Sequence, residues 1–312
     1  MKKLREILLL KAVGGVGNAR ISKFYLQYLL KDEGIDELKN LVLANEAKAD
    51  RDSVNEAIES SNKIYNTILD RSDLQVYTIL DAEYPKKLNT LGNKRPCIIY
   101  VKGDVSVLDE KNIAVVGTRD PVKHAADKEL AFVKATIERS ERVIISGLAA
   151  GCDTIAHKVC IDSGGKTVAV LPCGFDHIVP EENKALCDEI LDTGGALISE
   201  YPPDTKATQY TFVERDAIIA ALGDATFVMQ CGMKSGTMHT VSAAEKMHRK
   251  IGVYNPGDNA IGDFSGNRYI IKSKDGFSIS DTEELGKFLE SLRESEGTDE
   301  PVQMTIFDIM GD

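Results

Sequence analysis

Ile113-Ala114-Val115-Val116 is an apolar run that stops abruptly at Gly117-Thr118-Arg119. The pattern predicts a buried strand that ends in a tight turn carrying a hydroxyl group and a guanidinium group. The same change from an apolar run to a glycine- or hydroxyl-rich turn recurs along the chain. It occurs after residues 143–145, 167–171, 196–198, 225–229 and 251–254.

The segments between these runs are long enough for helices. Continuous apolar strands that alternate with helices predict an α/β fold, in which helices cover both faces of a parallel sheet. Such sheets bind their ligands at the carboxyl ends of the strands. The turns after the apolar runs are therefore the expected site.

Composition and charge place few limits on the function. The 312 residues carry a net charge of −11, but residues 281–312 account for −8 of it, so the remaining body is nearly neutral and could carry a local basic patch. The apolar runs are far shorter than a membrane span, and the charged N-terminus does not resemble a signal peptide. We therefore expect a cytoplasmic protein whose six scattered cysteines are buried and reduced.

Four regions can be distinguished along the chain. A helical hairpin domain is expected at 1–73, an extended connector at 74–110, the α/β core at 111–280, and an acidic helix and tail at 281–312. Within the core, 269–271 and 277–279 are predicted to form a small strand pair.

The first region contains a glycine-rich turn, Gly14-Gly15-Val16-Gly17, between two predicted helices. It resembles a helix-hairpin-helix, in which backbone amides such as those of Gly15 and Gly17 reach a phosphate. The alternative is a plain helical hairpin capped by glycines.

Standard catalytic and nucleotide motifs are missing from the sequence. Gly165-Lys166-Thr167 imitates the end of a phosphate-binding loop but precedes a strand instead of following one. No dinucleotide fingerprint, nucleophile elbow or zinc-protease motif occurs. We therefore predict a protein without catalytic residues, cofactor or metal. His157 and His239 are interpreted as packing or hydrogen-bonding residues.

The strand-end turns carry groups that suit an anion. Guanidinium forks, hydroxyls and free turn amides all bind phosphate oxygens, although serine and threonine are also ordinary helix caps and an arginine can be a surface side chain. The candidates at three strand ends are Gly117, Thr118 and Arg119; Ser146 and Gly147, with free amides; and Lys234, Ser235, Gly236, Thr237 and Thr240. Lys184 and Arg215 are weaker candidates, since either could form a surface salt bridge.

These blocks, together with Ser146-Gly147-Leu148-Ala149-Ala150-Gly151 and Ile198-Ser199-Glu200-Tyr201-Pro202, resemble the DprA/Smf DNA-processing family over roughly residues 1 to 258. The resemblance implies a Rossmann-like core that binds single-stranded DNA without catalysis. It also implies a homodimer that acts in recombination or natural transformation and helps to load the RecA recombinase. Carried over to this chain, it makes Arg119, Lys184 and Ser235-Gly236-Thr237 with Thr240 the phosphate contacts.

The chain also departs from the family pattern. Glu214-Arg215-Asp216 stands where the family usually has Arg-Asn-Arg, and the loss of phosphate contacts should weaken binding. A C-terminal winged helix is not evident. These carboxylates keep open an alternative function, a nucleotide-derivative sensor or a phosphoribohydrolase-like small-ligand domain.

The extreme C-terminus contains an apolar island, Gln303-Met304-Thr305-Ile306-Phe307. It looks like the short peptide with which bacterial replication and repair proteins dock on the DNA sliding clamp, with Gln303, Ile306 and Phe307 as the contact residues. The alternative is that these side chains pack back on the body of the protein.

Overall fold

The computed structural model describes residues 3–31 and 34–296. Within them, one compact unit comprises residues 3–84 and 91–100, and a second comprises 85–90 and 101–296. The connector expected at 74–110 is thus divided between two compact units. No helix of the described part is both long enough and apolar enough to cross a membrane.

The first unit is helical up to its strand β1, Gln75–Thr78. Helices α1 and α5 pack against each other through apolar faces, and Asp50 caps α5 by accepting a hydrogen bond from the Ser53 amide at 2.8 Å. The glycine-rich turn lies between α1 and α2. The helices are α1 Leu4–Ala12, α2 Asn18–Arg20, which continues through the π-helical Ile21–Tyr25 into α3 Leu26–Leu29, α4 Ile35–Asn45 and α5 Arg51–Leu69.

The second unit contains the parallel sheet that the sequence predicts. Strand β2, Ile98–Gly103, runs from the first unit into the second, and the next seven strands follow in the spatial order β6-β5-β4-β3-β7-β8-β9, with every neighbouring pair parallel. These strands are β3 Asn112–Val116, β4 Val143–Ser146, β5 Thr167–Leu171, β6 Ala196–Ser199, β7 Ala225–Val228, β8 Lys250–Tyr254 and β9 Phe277–Ile279.

Helices cover the sheet, as predicted. Ile113 and Val115 of β3 face a core shared with α6, α7 and α12, and the alternate residues Ala114 and Val116 point to the other face. The helices are α6 Lys123–Ser140, α7 Cys152–Asp162, α8 Lys184–Asp192, α9 Gln209–Leu222, α10 Thr237–Lys246, α11 Ser265–Ser273 and α12 Thr282–Glu296; short 3-10 segments lie at Lys86–Lys94, Val105–Leu108 and Glu181–Asn183. All six cysteines are buried free thiols, as expected.

Two expectations about the end of the core are corrected. Residues 269–271 belong to α11 and not to a strand, because the buried Asn267 side chain ties this helix to the sheet by donating to the Tyr254 carbonyl at 2.8 Å. Helix α12, expected outside the core, contributes Leu285, Phe288 and Leu289 to it. The core therefore extends beyond residue 280.

The position of α12 predicts the effect of removing one of its side chains. Phe288→Ala should lower the free energy of unfolding by roughly 3–5 kcal/mol, because it leaves a cavity in a packed core. Chemical denaturation measures this change. Glu290→Ala, on the exposed side of the same helix, is the control and should change stability by less than about 0.5 kcal/mol. Equal, small effects of the two substitutions would show that α12 does not stabilise the core.

Candidate functional site

A cavity of about 650 Å³ opens at the carboxyl ends of the central strands. Its volume lies within the range of about 300–1,000 Å³ that is typical of small-ligand pockets. The cavity brings together residues from four segments that are far apart in the sequence. They are Gly117, Thr118 and Arg119 after β3; Asp153 on α7; Phe212, Arg215, Asp216 and Ile219 on α9; and Ser235, Gly236, Thr237, His239 and Thr240 at the start of α10.

An ion pair between Asp153 and Arg215 lies at the buried floor of this cavity. Asp153 Oδ2 accepts hydrogen bonds from the Gly147 and Ala149 amides at 3.2 and 3.3 Å, and lies 3.6 Å from Arg215 Nη1. Both charged side chains are almost fully buried. Burial raises the pKa of Asp153, and the neighbouring Arg215 opposes this shift. Arg215 therefore carries a structural charge at the floor and is not an exposed phosphate ligand.

The same ion pair changes one expectation about the end of β4, where free backbone amides were predicted. The Gly147 amide, expected to be free, donates to Asp153, and the Ser146 hydroxyl donates to the Val115 carbonyl at 2.7 Å. A side chain at position 147 would collide with the Arg215 guanidinium, so this position requires glycine. Ser146 and Gly147 therefore make structural hydrogen bonds and do not line the cavity.

Asp216 places a second carboxylate beside the same arginine. Asp216 Oδ1 lies 3.4 Å from Arg215 Nε, so one guanidinium faces two acids. Burial raises the pKa of Asp216 to about 6; Arg215 opposes this effect, and the negative charge of Asp153 adds to it. When both acids are ionised, the floor carries a net charge of −1, which disfavours a phosphate at that depth.

The rim of the cavity has the opposite character. Arg119 is exposed, and its guanidinium carbon lies 5.1 Å from the centre of the Phe212 ring, which also lines the cavity. On the α10 side, the Ser235 and Thr237 hydroxyls lie 3.0 Å apart beside the exposed Gly236, and the exposed Lys234 precedes them. The rim therefore carries the exposed cations, Gly236 and the half-buried Ser235. Thr237 is buried, and the two carboxylates are mostly buried.

The remaining sequence candidates are not among the exposed residues of the cavity. Lys184 is exposed at the start of α8 and does not line the cavity, and Thr240 lines it but is buried. Gly15 and Gly17 lie in the first unit, in a turn that leaves open space beside both glycines, and their contact with DNA stays a prediction. Gln303, Ile306 and Phe307 lie outside the described residues.

Three residues near the site were not predicted as contacts. His239, interpreted from the sequence as a packing residue, is exposed and lines the cavity, as does Phe212. Tyr210, two positions before Phe212 in the chain, is 70% exposed. The spacing of Gln209, Phe212, Asp216 and Ile219 along α9 is the signal that could have identified this wall, because positions three and four apart share a helix face.

Glu214 has a different role from the one expected. Its carboxylate accepts a hydrogen bond from the Tyr201 hydroxyl at 2.6 Å and does not line the cavity. Of the two carboxylates that depart from the family pattern, Asp216 alone lines the site. Among the described residues, no group of three or more histidine, cysteine or acidic side chains could hold a metal ion.

The sequence profile of the DNA recombination-mediator protein A family matches residues 75–290, which is more than half of the chain. The chain belongs to this family. A curated member, the DNA processing protein DprA of Bacillus subtilis, is 34% identical over 174 residues, which cover 55% of this chain and 58% of that protein. The chain thus matches somewhat under two thirds of the length of such curated relatives.

Solved structures of family members share the fold. The chain matches DNA processing protein A from Streptococcus pneumoniae with a TM-score of 0.75 and 27% identity, over 91% of this chain and 98% of that one. It matches the DNA processing protein A of Helicobacter pylori, which was solved for its single-stranded DNA binding mode, with a TM-score of 0.61 and 25% identity. That match covers 71% of this chain and 97% of the other. The predicted family and the Rossmann-like fold are confirmed.

The raised pKa of Asp216 predicts how stability changes with pH. Between pH 4 and 6 the folded protein holds a proton that the unfolded chain releases, so the free energy of unfolding falls as pH rises through this window. Asp216→Asn removes the ionisation. The variant should be more stable than the wild type at pH 8, by on the order of 1 kcal/mol, and should gain nothing at pH 4.

Urea denaturation at the two pH values measures this difference. Asp188→Asn, at an exposed position on α8, is the matched control and should follow the wild type at both. An Asp216→Asn protein that also follows the wild type at both pH values would contradict the proposed cost of the buried charge.

Proposed function

We propose that this protein binds single-stranded DNA without catalysis, and that the rim of the cavity holds the phosphate backbone. The observation that carries the proposal is the exposed Arg119 guanidinium in the same strand-end cavity as the hydroxyls of Ser235 and Thr237. A guanidinium binds phosphate oxygens in a bidentate manner, and hydroxyls and turn amides complete such a site. Single-stranded DNA binding by the Helicobacter pylori relative supports the same assignment.

The charges of the site indicate how the strand is held. Arg119 and Lys234 are the exposed cations, since Arg215 is neutralised within the floor. Few phosphates are therefore neutralised, and affinity should be modest and should fall with salt. Phe212 at the rim and the exposed Tyr210 offer rings on which bases can stack, an interaction that tolerates any sequence.

A second candidate function rests on Asp216. A mostly buried carboxylate in the cavity is unusual for a site that binds a polyanion. It would suit the ribose of a small nucleotide, either in a nucleotide-derivative sensor or in a phosphoribohydrolase-like domain. Competition between labelled oligo(dT) and a panel of nucleotides separates the two functions. Displacement by a mononucleotide at micromolar concentration would favour the small-ligand function.

The wider role is proposed from the family. We infer that the protein acts as a homodimer in recombination or natural transformation, that it assists RecA loading, and that it works in the cytoplasm. These inferences depend on the resemblance, and DNA binding at the rim does not require them.

Replacement of Arg119 tests the proposed site. Arg119→Ala should weaken oligo(dT) binding about tenfold at low salt and lower the salt slope by about one, because one phosphate contact is lost. Its stability should be unchanged, since the side chain is exposed. Fluorescence anisotropy at two salt concentrations measures the effect.

Lys158→Ala is the matched control, since it removes one exposed positive charge on α7, outside the cavity lining. If both variants lose affinity equally, net charge and not the rim governs binding. If neither does, the strand binds elsewhere.

We also propose that the C-terminal peptide docks on the DNA sliding clamp. A synthetic peptide of residues 299–312 should bind the clamp of the host weakly, and should lose binding on Gln303→Ala or Phe307→Ala, because these side chains fill the clamp groove. Thr305→Ala, at a variable position of the pattern, should bind like the parent in isothermal titration calorimetry. No binding by the parent peptide, together with reduced thermal stability of the full-length Phe307→Ala protein, would show that the tail is structural.

A further inference from the structure

The carboxylate of Asp216 has an incomplete set of partners. Its side chain is only 14% exposed, and its nearest cation, Arg215 Nε at 3.4 Å, is shared with Asp153. Asp153 accepts two backbone amides, whereas no residue in the described part of the chain donates a hydrogen bond to Asp216. A carboxylate that is mostly buried and accepts no hydrogen bond is costly, so a ligand that donates to it gains affinity.

The charge of the floor decides which part of a nucleotide can reach Asp216. A phosphate would meet a floor with a net charge of −1, whereas the exposed cations at the rim attract it. A base is neutral, and the cavity offers it apolar contacts from Val116, Phe212 and Ile219. With the phosphate at Arg119, the base is the part of the nucleotide that enters the floor.

The four bases differ in what they can give to a carboxylate. Thymine presents one N–H between two carbonyl oxygens, which a carboxylate repels. Adenine and cytosine present one amino group beside a ring nitrogen acceptor. Guanine presents N1–H and the 2-amino group side by side, which matches the two oxygens of a carboxylate in a bidentate pair.

We propose that Asp216 makes this site prefer guanine among the bases of a bound strand. The inference rests on the proposed function, since it takes the strand to lie across the rim. Asp216 acts as a specificity-determining residue here, whereas Arg119 supplies affinity that does not depend on sequence.

The test uses three labelled 12-mers: oligo(dT), the same strand with one central guanine, and the same strand with one central hypoxanthine, which lacks the 2-amino group. The wild-type protein should bind the guanine strand roughly tenfold more tightly than oligo(dT), and hypoxanthine should lose most of this gain. Asp216→Asn should bind oligo(dT) and the guanine strand equally, within about twofold. Fluorescence anisotropy at one low salt concentration measures all three strands.

Glu214→Gln is the matched control, because it removes a carboxylate from the same helix outside the cavity lining, and it should keep the preference. The hypoxanthine comparison needs only the wild-type protein, so it holds even if Asp216→Asn fails to fold. Equal binding of all three strands by the wild type would overturn the inference and leave single-stranded DNA binding intact. A preference that persists in Asp216→Asn would overturn the role of Asp216. No binding of any strand would overturn the proposed function and this inference with it.

Discussion

Asp153 and Arg215 meet in the interior of the protein, at the point where the end of β4 approaches the first turn of α7 and the second turn of α9. Removing two charges from water costs several kcal/mol per ion, and the cost is offset only when the remaining hydrogen-bonding positions are filled. Here the Gly147 and Ala149 amides fill them on the side of the acid. Loss of one partner of such a pair costs about 3–5 kcal/mol, so the shape of the cavity depends on it.

The ion pair also determines how the functional groups are divided. Arg215 is held between Asp153 and Asp216, so the proposed phosphate contacts are Arg119 and the α10 residues that line the cavity. At the floor, no residue of the described part of the chain donates a hydrogen bond to the Asp216 carboxylate. A nucleotide can contact both the rim and the floor when its phosphate lies at Arg119 and its base lies next to Asp216. The proposed arrangement predicts modest, salt-dependent affinity and a preference among bases.

The sequence predicted the sheet because β3 to β8 are short apolar runs, each followed by a turn that contains glycine or a hydroxyl residue. It also predicted the strand-end location of Arg119 and of Ser235, Gly236 and Thr237, since ligand sites of parallel sheets lie at that edge. It did not predict that the Gly147 amide is occupied or that Arg215 is buried, because both depend on Asp153, which approaches them only through tertiary packing. Helix α11 was mistaken for a strand for a similar reason: the Asn267 hydrogen bonds that hold it to the sheet leave no mark in the local apolar pattern.

The central claim is that the rim of this cavity contacts the strand. Amide hydrogen exchange with and without saturating oligo(dT) tests it most directly, because it reports every segment of the chain at once. The account predicts slower exchange at residues 117–119 and 235–240. A change at residues 14–17 would bear on the separate prediction for the glycine-rich turn. Protection at 14–17 without protection at the two strand ends would contradict the central claim.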